Sequence, residues 1–206
     1  MFSLCSRGRS GKELFGVKKV LVCNQKGGVG KSLVSDELAF SFERSSIPLA
    51  FLDLDVQGGT IHKTDQNMDA EVAVIDTPGA LQPELSAWLA DADAIVIPMR
   101  TTSRDIPPLW RMRKAIEAAG KEDRVIYVIN GWTRFRASSD FLTWFQGAFG
   151  DDVRICTLPQ SELFVQAGAA GRSVVGYGRK KTPAGDAVLE LCDAVRRLIG
   201  LPPEQM

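Results

Sequence analysis

Apolar residues in this chain follow two alternating rhythms. Short apolar runs, rich in Val and Ile and without strict polar alternation, occupy residues 17–23, 48–53, 72–76, 94–98, 125–130 and 153–158. Strands buried on both faces of a parallel sheet have this composition. Between them, apolar side chains recur at helical spacing. Val34, Leu38 and Phe42 come every fourth residue; Ile106, Leu109, Met112 and Ile116 follow at three, three and four. Val188, Leu191, Val195 and Leu198 follow at three, four and three, and Gly200 with Pro202 supplies a stop. Strand, helix, strand repeated in this way predicts right-handed crossovers and an α/β fold: a single doubly wound domain, its mostly parallel sheet flanked by helices.

Length and composition narrow the organisation. The 206 residues suit one domain with a self-sufficient core. At 45% hydrophobic and 24% charged, the chain is globular rather than disordered. Residues 1–16, rich in Ser, Gly and basic side chains, read as a flexible basic leader; residues 17–201 form the domain, and 202–206 a short tail. The leader lacks the apolar core of a secretory signal and the Gly at position 2 that myristoylation requires. The longest apolar run, residues 94–99, falls far short of the roughly 20 residues that span a bilayer. Cys5, Cys23, Cys156 and Cys192 form no C-x-x-C pair and His62 is the one histidine, so a structural zinc site is not expected and the thiols read as free. The four tryptophans are scattered and read as packing residues.

The balance of 25 basic and 25 acidic residues conceals a segregation. Residues 1–31 carry seven basic and one acidic, residues 32–99 two basic and twelve acidic, and residues 100–136 nine basic and four acidic. A basic stretch in a neutral protein still forms a local phosphate-binding surface.

The first run ends in Cys23-Asn24-Gln25 and leads into K-G-G-V-G-K-S, Lys26 to Ser32, with a helical pattern directly after it. Strand, Gly-rich turn and helix N-terminus are the context of a phosphate loop. Gly27, Gly28 and Gly30 let backbone N–H groups face phosphate oxygens, aided by the helix dipole. The backbone of Val29 and Leu33 flanks that cradle. Lys31 is placed for the β- and γ-phosphates and the Ser32 hydroxyl for Mg²⁺. The strict G-x-x-x-x-G-K-[ST] pattern is not met, since Gln25 stands five before Gly30; a second lysine, Lys26, opens the loop instead, in the deviant Walker A form. The second run ends in D-L-D-V-Q-G-G, Asp53 to Gly59, and the third in V-I-D-T-P-G, closing at Asp76 before Thr77, Pro78 and Gly79. Ligands of parallel sheets sit outside the carboxyl ends of the strands, where these motifs fall. Asp76 suits a carboxylate holding Mg²⁺ through water, and Asp55 a carboxylate near metal and attacking water.

These three motifs, in this order, resemble the ParA/MinD family of partition and positioning ATPases, and the resemblance spans about residues 17–200, closest to the small plasmid-type ParA proteins. It implies a P-loop NTPase fold, ATP and Mg²⁺ as ligands, and weak basal hydrolysis. It implies an ATP-dependent homodimer in which Lys26 reaches the nucleotide of the other subunit. It further implies non-specific DNA binding, a ParB-like stimulating partner, and a cytoplasmic, nucleoid-associated protein; the alternative is a relative that positions a protein cargo without using DNA. Asn130 resembles a base-contacting asparagine, and the loop from Pro159 the segment that closes over adenine. A MinD-type amphipathic anchor would follow the core, and residues 201–206 hold none, so no membrane partner is expected. Cluster-ligating cysteines of iron-protein relatives have no match in Cys23, Cys156 and Cys192.

The chain departs from the family pattern at three places. Val56 stands where Pro is usual, Leu33 where Thr is common, and Q-S-E-L-F-V follows Pro159 where DNA-binding relatives often carry basic residues. DNA contacts are therefore expected among Arg104, Arg111, Arg113 and Lys114, Arg134 and Arg136, and Arg172, Arg179, Lys180 and Lys181.

Overall fold

A computed structural model describes residues 16–79, 83–178 and 181–204. The leader, Cys5, Arg179 and Lys180 lie wholly or almost wholly outside the described residues. Six strands, β1 (Lys18–Val22), β2 (Leu49–Asp53), β3 (Val72–Asp76), β4 (Ala94–Met99), β5 (Val125–Trp132) and β6 (Arg154–Pro159), form one sheet in the order β2-β3-β1-β4-β5-β6. Every pairing between neighbouring strands is parallel. All six strands coincide with the six apolar runs, and beside their parallel pairings an antiparallel bridge joins Phe51 of β2 to Asp65.

The helices are α1 (Lys31–Arg44), α2 (Leu85–Asp91), α3 (Ile106–Ala119), α4 (Arg136–Phe149), α5 (Glu162–Ala169) and α6 (Pro183–Leu198). Side chains alternate across each strand and so divide the core into two layers. Val20, Val22, Val74, Val96 and Val128 face α1 and α6, packing on Val34, Leu38, Phe42, Val188, Leu191 and Val195. Leu21, Ile75, Ile95, Ile97 and Ile129 face the other way, onto Leu89, Leu109, Met112, Ile116, Phe141 and Phe145 of α2, α3 and α4. Each fully buried Leu or Phe stabilises this double layer by roughly 1.5–3 kcal/mol.

Local signals set the helix ends. Thr182 caps α6 by accepting from Gly185 N, with Pro183 in its first turn, and Ser161 caps α5 by accepting from Leu163 N. Gly120, at φ 63°, closes α3. Beyond α6 the tail turns back: Pro202 O accepts from Arg196, and the Glu204 carboxylate accepts from Ser41 and Arg44 of α1.

The chain passes from β1 out to β2, back to β3 beside β1, and then to β4 on the other side of β1. That reversal of strand order opens a crevice at the carboxyl end of β1, the place where an open parallel sheet binds its ligand.

Candidate functional site

The crevice is floored by the loop between β1 and α1. Gly28 (φ 73°) and Gly30 (φ 98°) take left-handed backbone conformations that turn the chain into α1. A side chain at Gly30 would also have no room, since its Cβ would lie 2.1 Å from Asn130 Nδ2. Asn130, at the end of β5, donates from Nδ2 to Val29 O at 2.9 Å and so braces the loop from beneath. Asn24 donates to Pro98 O at 2.8 Å and ties the loop's start to the end of β4.

Lys31 begins α1 and is buried, its Nζ donating to Lys26 O at 3.4 Å. Burial pulls its pKa below the ordinary lysine range, and the charges of Asp76 and Asp55 oppose that pull. Gly79 presses the turn after β3 against the same loop. A Cβ there would meet Gly27 Cα at 2.8 Å and Lys31 Nζ at 3.1 Å, so only glycine allows this approach. Thr77 anchors the turn by donating from Oγ1 to Val22 O.

Asp76 is 1% exposed and receives two hydroxyl hydrogen bonds from α1, Ser32 Oγ at 2.8 Å and Ser35 Oγ at 2.9 Å. Burial pushes its carboxyl up to about 6, against the pull of both serines. A hydroxyl and a carboxylate held together beside a phosphate cradle are the oxygen donors Mg²⁺ takes when phosphates and waters complete its shell. These residues therefore fit the ion.

Asp55 occupies the loop after β2, half-buried. Its N–H bonds Asp53 Oδ1 and its own Oδ1 accepts from Gln57 N, while Val56 is wholly exposed. The loop then passes over Ser32, bringing Gly59 so near that a Cβ would lie 3.3 Å from Ser32 Oγ.

Lys26 points away from the cradle. Its Nζ pairs at 2.7 Å with Asp105 Oδ2, a carboxylate with no exposure at the start of α3. Asp105 also accepts from Arg100 N and from the Thr102 hydroxyl. Sequence reasoning missed Asp105: an Asp just before a Pro-containing first turn is indistinguishable from an ordinary helix cap.

Pro159 lies on the rim of a cleft of about 740 Å³ at the carboxyl ends of β5 and β6, lined also by Trp132, Arg134, Phe135, Gln160 and Pro183. Among the described residues, the basic candidates differ in how they are engaged. Arg113 bonds Glu117 and Ala148 O and covers the Trp110 and Phe149 rings; Arg111 bonds Gln25; Arg136 pairs with Asp140 at 3.5 Å. Arg104, Lys114, Arg134 and Lys181 are exposed, as is Arg172, whose guanidinium lies over the Tyr177 ring at 5.8 Å. Trp110 stacks on Phe149 yet remains 38% exposed. Cys23, Cys156 and Cys192 are free and buried; burial pushes Cys23 and Cys192 up to about 12 and Cys156 up to about 11.

A parallel sheet with a glycine-rich loop and helix N-terminus at its switch point defines a P-loop nucleotide-binding domain. Residues 16–117 match the family model described as ParA: NUBPL iron-transfer P-loop NTPase. Solved structures agree in fold. McdA from Cyanothece superposes with TM-score 0.72 at 15% identity, over 89% of this chain and 100% of that one. The MinD cell division protein of Aquifex aeolicus superposes with TM-score 0.68 at 14% identity, over 92% and 100%. A plasmid partition protein of Borrelia burgdorferi bound to AMPPNP superposes with TM-score 0.61 at 14% identity, over 88% and 98%. No curated protein matches the sequence. Over residues 16–117 the sequence is thus similar to the ParA family, and the fold of the chain is that of the ParA/MinD P-loop NTPases. Among the described residues, no helix is long and apolar enough to cross a membrane.

Proposed function

We propose that this chain is an ATP-driven dimerising ATPase that partitions DNA. In its ATP state it binds DNA without sequence preference, and a ParB-like partner stimulates the hydrolysis that releases it, in the cytoplasm and on the nucleoid. The observation that carries the nucleotide chemistry is the meeting of Lys31, Ser32 and Asp76 beneath the Gly79 turn. Backbone N–H groups of residues 27–33 cradle the phosphates, and Lys31 neutralises the outer ones. Ser32 and Asp76 would hold Mg²⁺, which bound there draws charge from the phosphate oxygens. Asp55 orients the attacking water. The Pro159 rim would border the base, with Asn130 acting through the Val29 backbone that its amide holds.

Lys26 supplies the link to dimerisation. Its side chain is 27% exposed, whereas Asp105 is fixed and fully buried, so the lysine is the movable member of the pair. On reaching a second subunit's nucleotide it exchanges a carboxylate for phosphate. Lys26→Ala is expected to weaken ATP-dependent dimers about tenfold, the equivalent of one charge-assisted hydrogen bond. Light scattering with ATPγS measures this, and equal dimer fractions for both proteins would remove the lysine from the interface.

DNA contact is supported by the exposed Arg104, Lys114, Arg134, Arg172 and Lys181. The second reading, positioning of a protein cargo without DNA, is favoured by Arg111, Arg113 and Arg136 being already engaged with acceptors of this chain. Binding to a non-specific duplex with ATPγS against ADP, across a salt series, separates the two. ATP-dependent binding that weakens steeply with salt supports DNA partition. No binding in either state, with hydrolysis intact, favours the protein cargo.

A further inference from the structure

The loop that carries Asp55 is pinned at both ends. At its near end Leu54 N donates to Asp76 O, which ties it to the sheet edge of the phosphate site. At its far end the anchor is Asp36 of α1, a carboxylate 4% exposed and one turn beyond Ser32. Both Asp36 oxygens accept from Ile61 N, at 3.0 and 2.8 Å, and Oδ1 also accepts from His62 N at 3.0 Å. The His62 ring closes the clamp, with Nδ1 2.7 Å from Asp36 Oδ1 and Nε2 3.4 Å from Glu43. Phe40 and Phe51 pack against the ring at centroid distances of 4.4 and 5.2 Å. Between the two anchors lies a short arc with Gly58 (φ 67°) and Gly59 (φ 138°), the most deformable stretch of this loop.

A carboxylate on such an arc takes its position from the ends, not from the arc. We infer that Asp36 and His62 are positioning residues that hold the loop carrying Asp55, which passes over Ser32 at Gly59, in place for hydrolysis. This inference rests on the hydrolytic role proposed for Asp55. It costs nothing in nucleotide binding, because neither residue belongs to the cradle that holds the phosphates.

The clamp is sensitive to protonation. Burial disfavours the charged His62 ring, but the Asp36 hydrogen bond and the Glu43 and Asp36 charges outweigh it and hold the ring above the ordinary histidine range. The charges that act on it come from Asp36 and Glu43 on α1; β2 presents the uncharged Phe51. A raised folded-state pKa means that the charged clamp is complete below the unfolded histidine pKa and weakens as pH rises through the folded one. Hydrolysis therefore declines across that window.

The test is basal ATP turnover by the full chain from about pH 6 to 8.5, with ATP affinity measured alongside. Asp36→Asn and His62→Ala are expected to lower kcat at least about tenfold, as misplacement of a reacting group by an ångström does, with ATP affinity within about twofold. His62→Gln, whose amide can still donate to Asp36, retains more turnover than His62→Ala but loses the decline with pH. It therefore tests the clamp even where Asp36→Asn fails to fold. Wild-type kcat and pH profile in these variants, with Asp55→Ala inactive, would overturn the clamp alone. Normal turnover in Asp55→Ala would overturn the Asp55 role and the clamp together.

Discussion

Lys31→Ala should lose productive ATP binding, with affinity falling by roughly two to three orders of magnitude. Lys31 is a cationic side chain buried against the phosphate loop, with Nζ 3.4 Å from Lys26 O and within 3.1 Å of where a Gly79 side chain would begin. Its burial is unfavourable in the free protein, where its pKa is pulled down and only the Asp76 and Asp55 charges counter the loss of water. A triphosphate turns that cost into a gain, because a desolvated ammonium interacts strongly with phosphate oxygens. Removing it leaves phosphate charge unpaired in a buried site, worth about 3–5 kcal/mol, hence the predicted loss. The free protein should keep its melting temperature within a few degrees, since Lys31 contributes a single long hydrogen bond to it. Titration calorimetry with ATPγS reads the first effect and thermal melts the second. Unchanged affinity would sink the assignment.

The parts of this site that local chemistry specifies were legible in the sequence. The phosphate loop demands glycines at adjacent turns, and strands of a parallel sheet are rich in apolar residues, so β1 to β6 stood out to within a residue or two even where Lys18, Lys19 and Arg154 interrupt the pattern. Three helices were read, α1, α3 and α6. The others lacked a usable signal for different reasons. The seven-residue α2 carries only Leu85 and Leu89 as buried positions, too few for a period. Only Ala167 is buried in α5. In α4 the repeat Phe141, Phe145 and Phe149 is present, but Arg136–Ser139 before it has the composition of a loop.

Long-range polar pairs were invisible for a simpler reason. Lys26 and Asp105 are 79 residues apart, and Asp36 and His62 are 26 apart. Each member alone has a commonplace explanation, a cap, a surface charge or a core histidine. Only the fold shows that α1 sends Ser32 and Ser35 to Asp76, Asp36 to the Asp55 loop, and Glu37 to Ser173 and Val174. The first helix thus acts as a polar hub that ties both acidic segments to the glycine-rich loop preceding it.

Asp55→Ala separates binding from hydrolysis. Its carboxylate makes one local bond, from Gln57 N, and nothing in the core depends on it, so truncation should cost at most about 1 kcal/mol of stability. The Lys31, Ser32 and Asp76 constellation stays intact, and with it ATP binding and the ATP-dependent dimer. Turnover is a different matter. The attacking water has to be aligned with the outer phosphate, and a positioned carboxylate contributes on the order of 10²–10⁴ in such a step. The variant should therefore hydrolyse at least about a hundredfold more slowly while its dimers persist for as long as ATP is supplied. Single-turnover phosphate release gives the rate, and light scattering over the same time course gives the dimer. Asp76→Ala is the contrast: it removes the acceptor of both Ser32 and Ser35, so it should impair Mg²⁺-dependent ATP binding as well as turnover. If Asp55→Ala lost ATP binding in the same way, Asp55 would belong to the binding cradle. If it turned over ATP at the wild-type rate, the water would have to be held by another group.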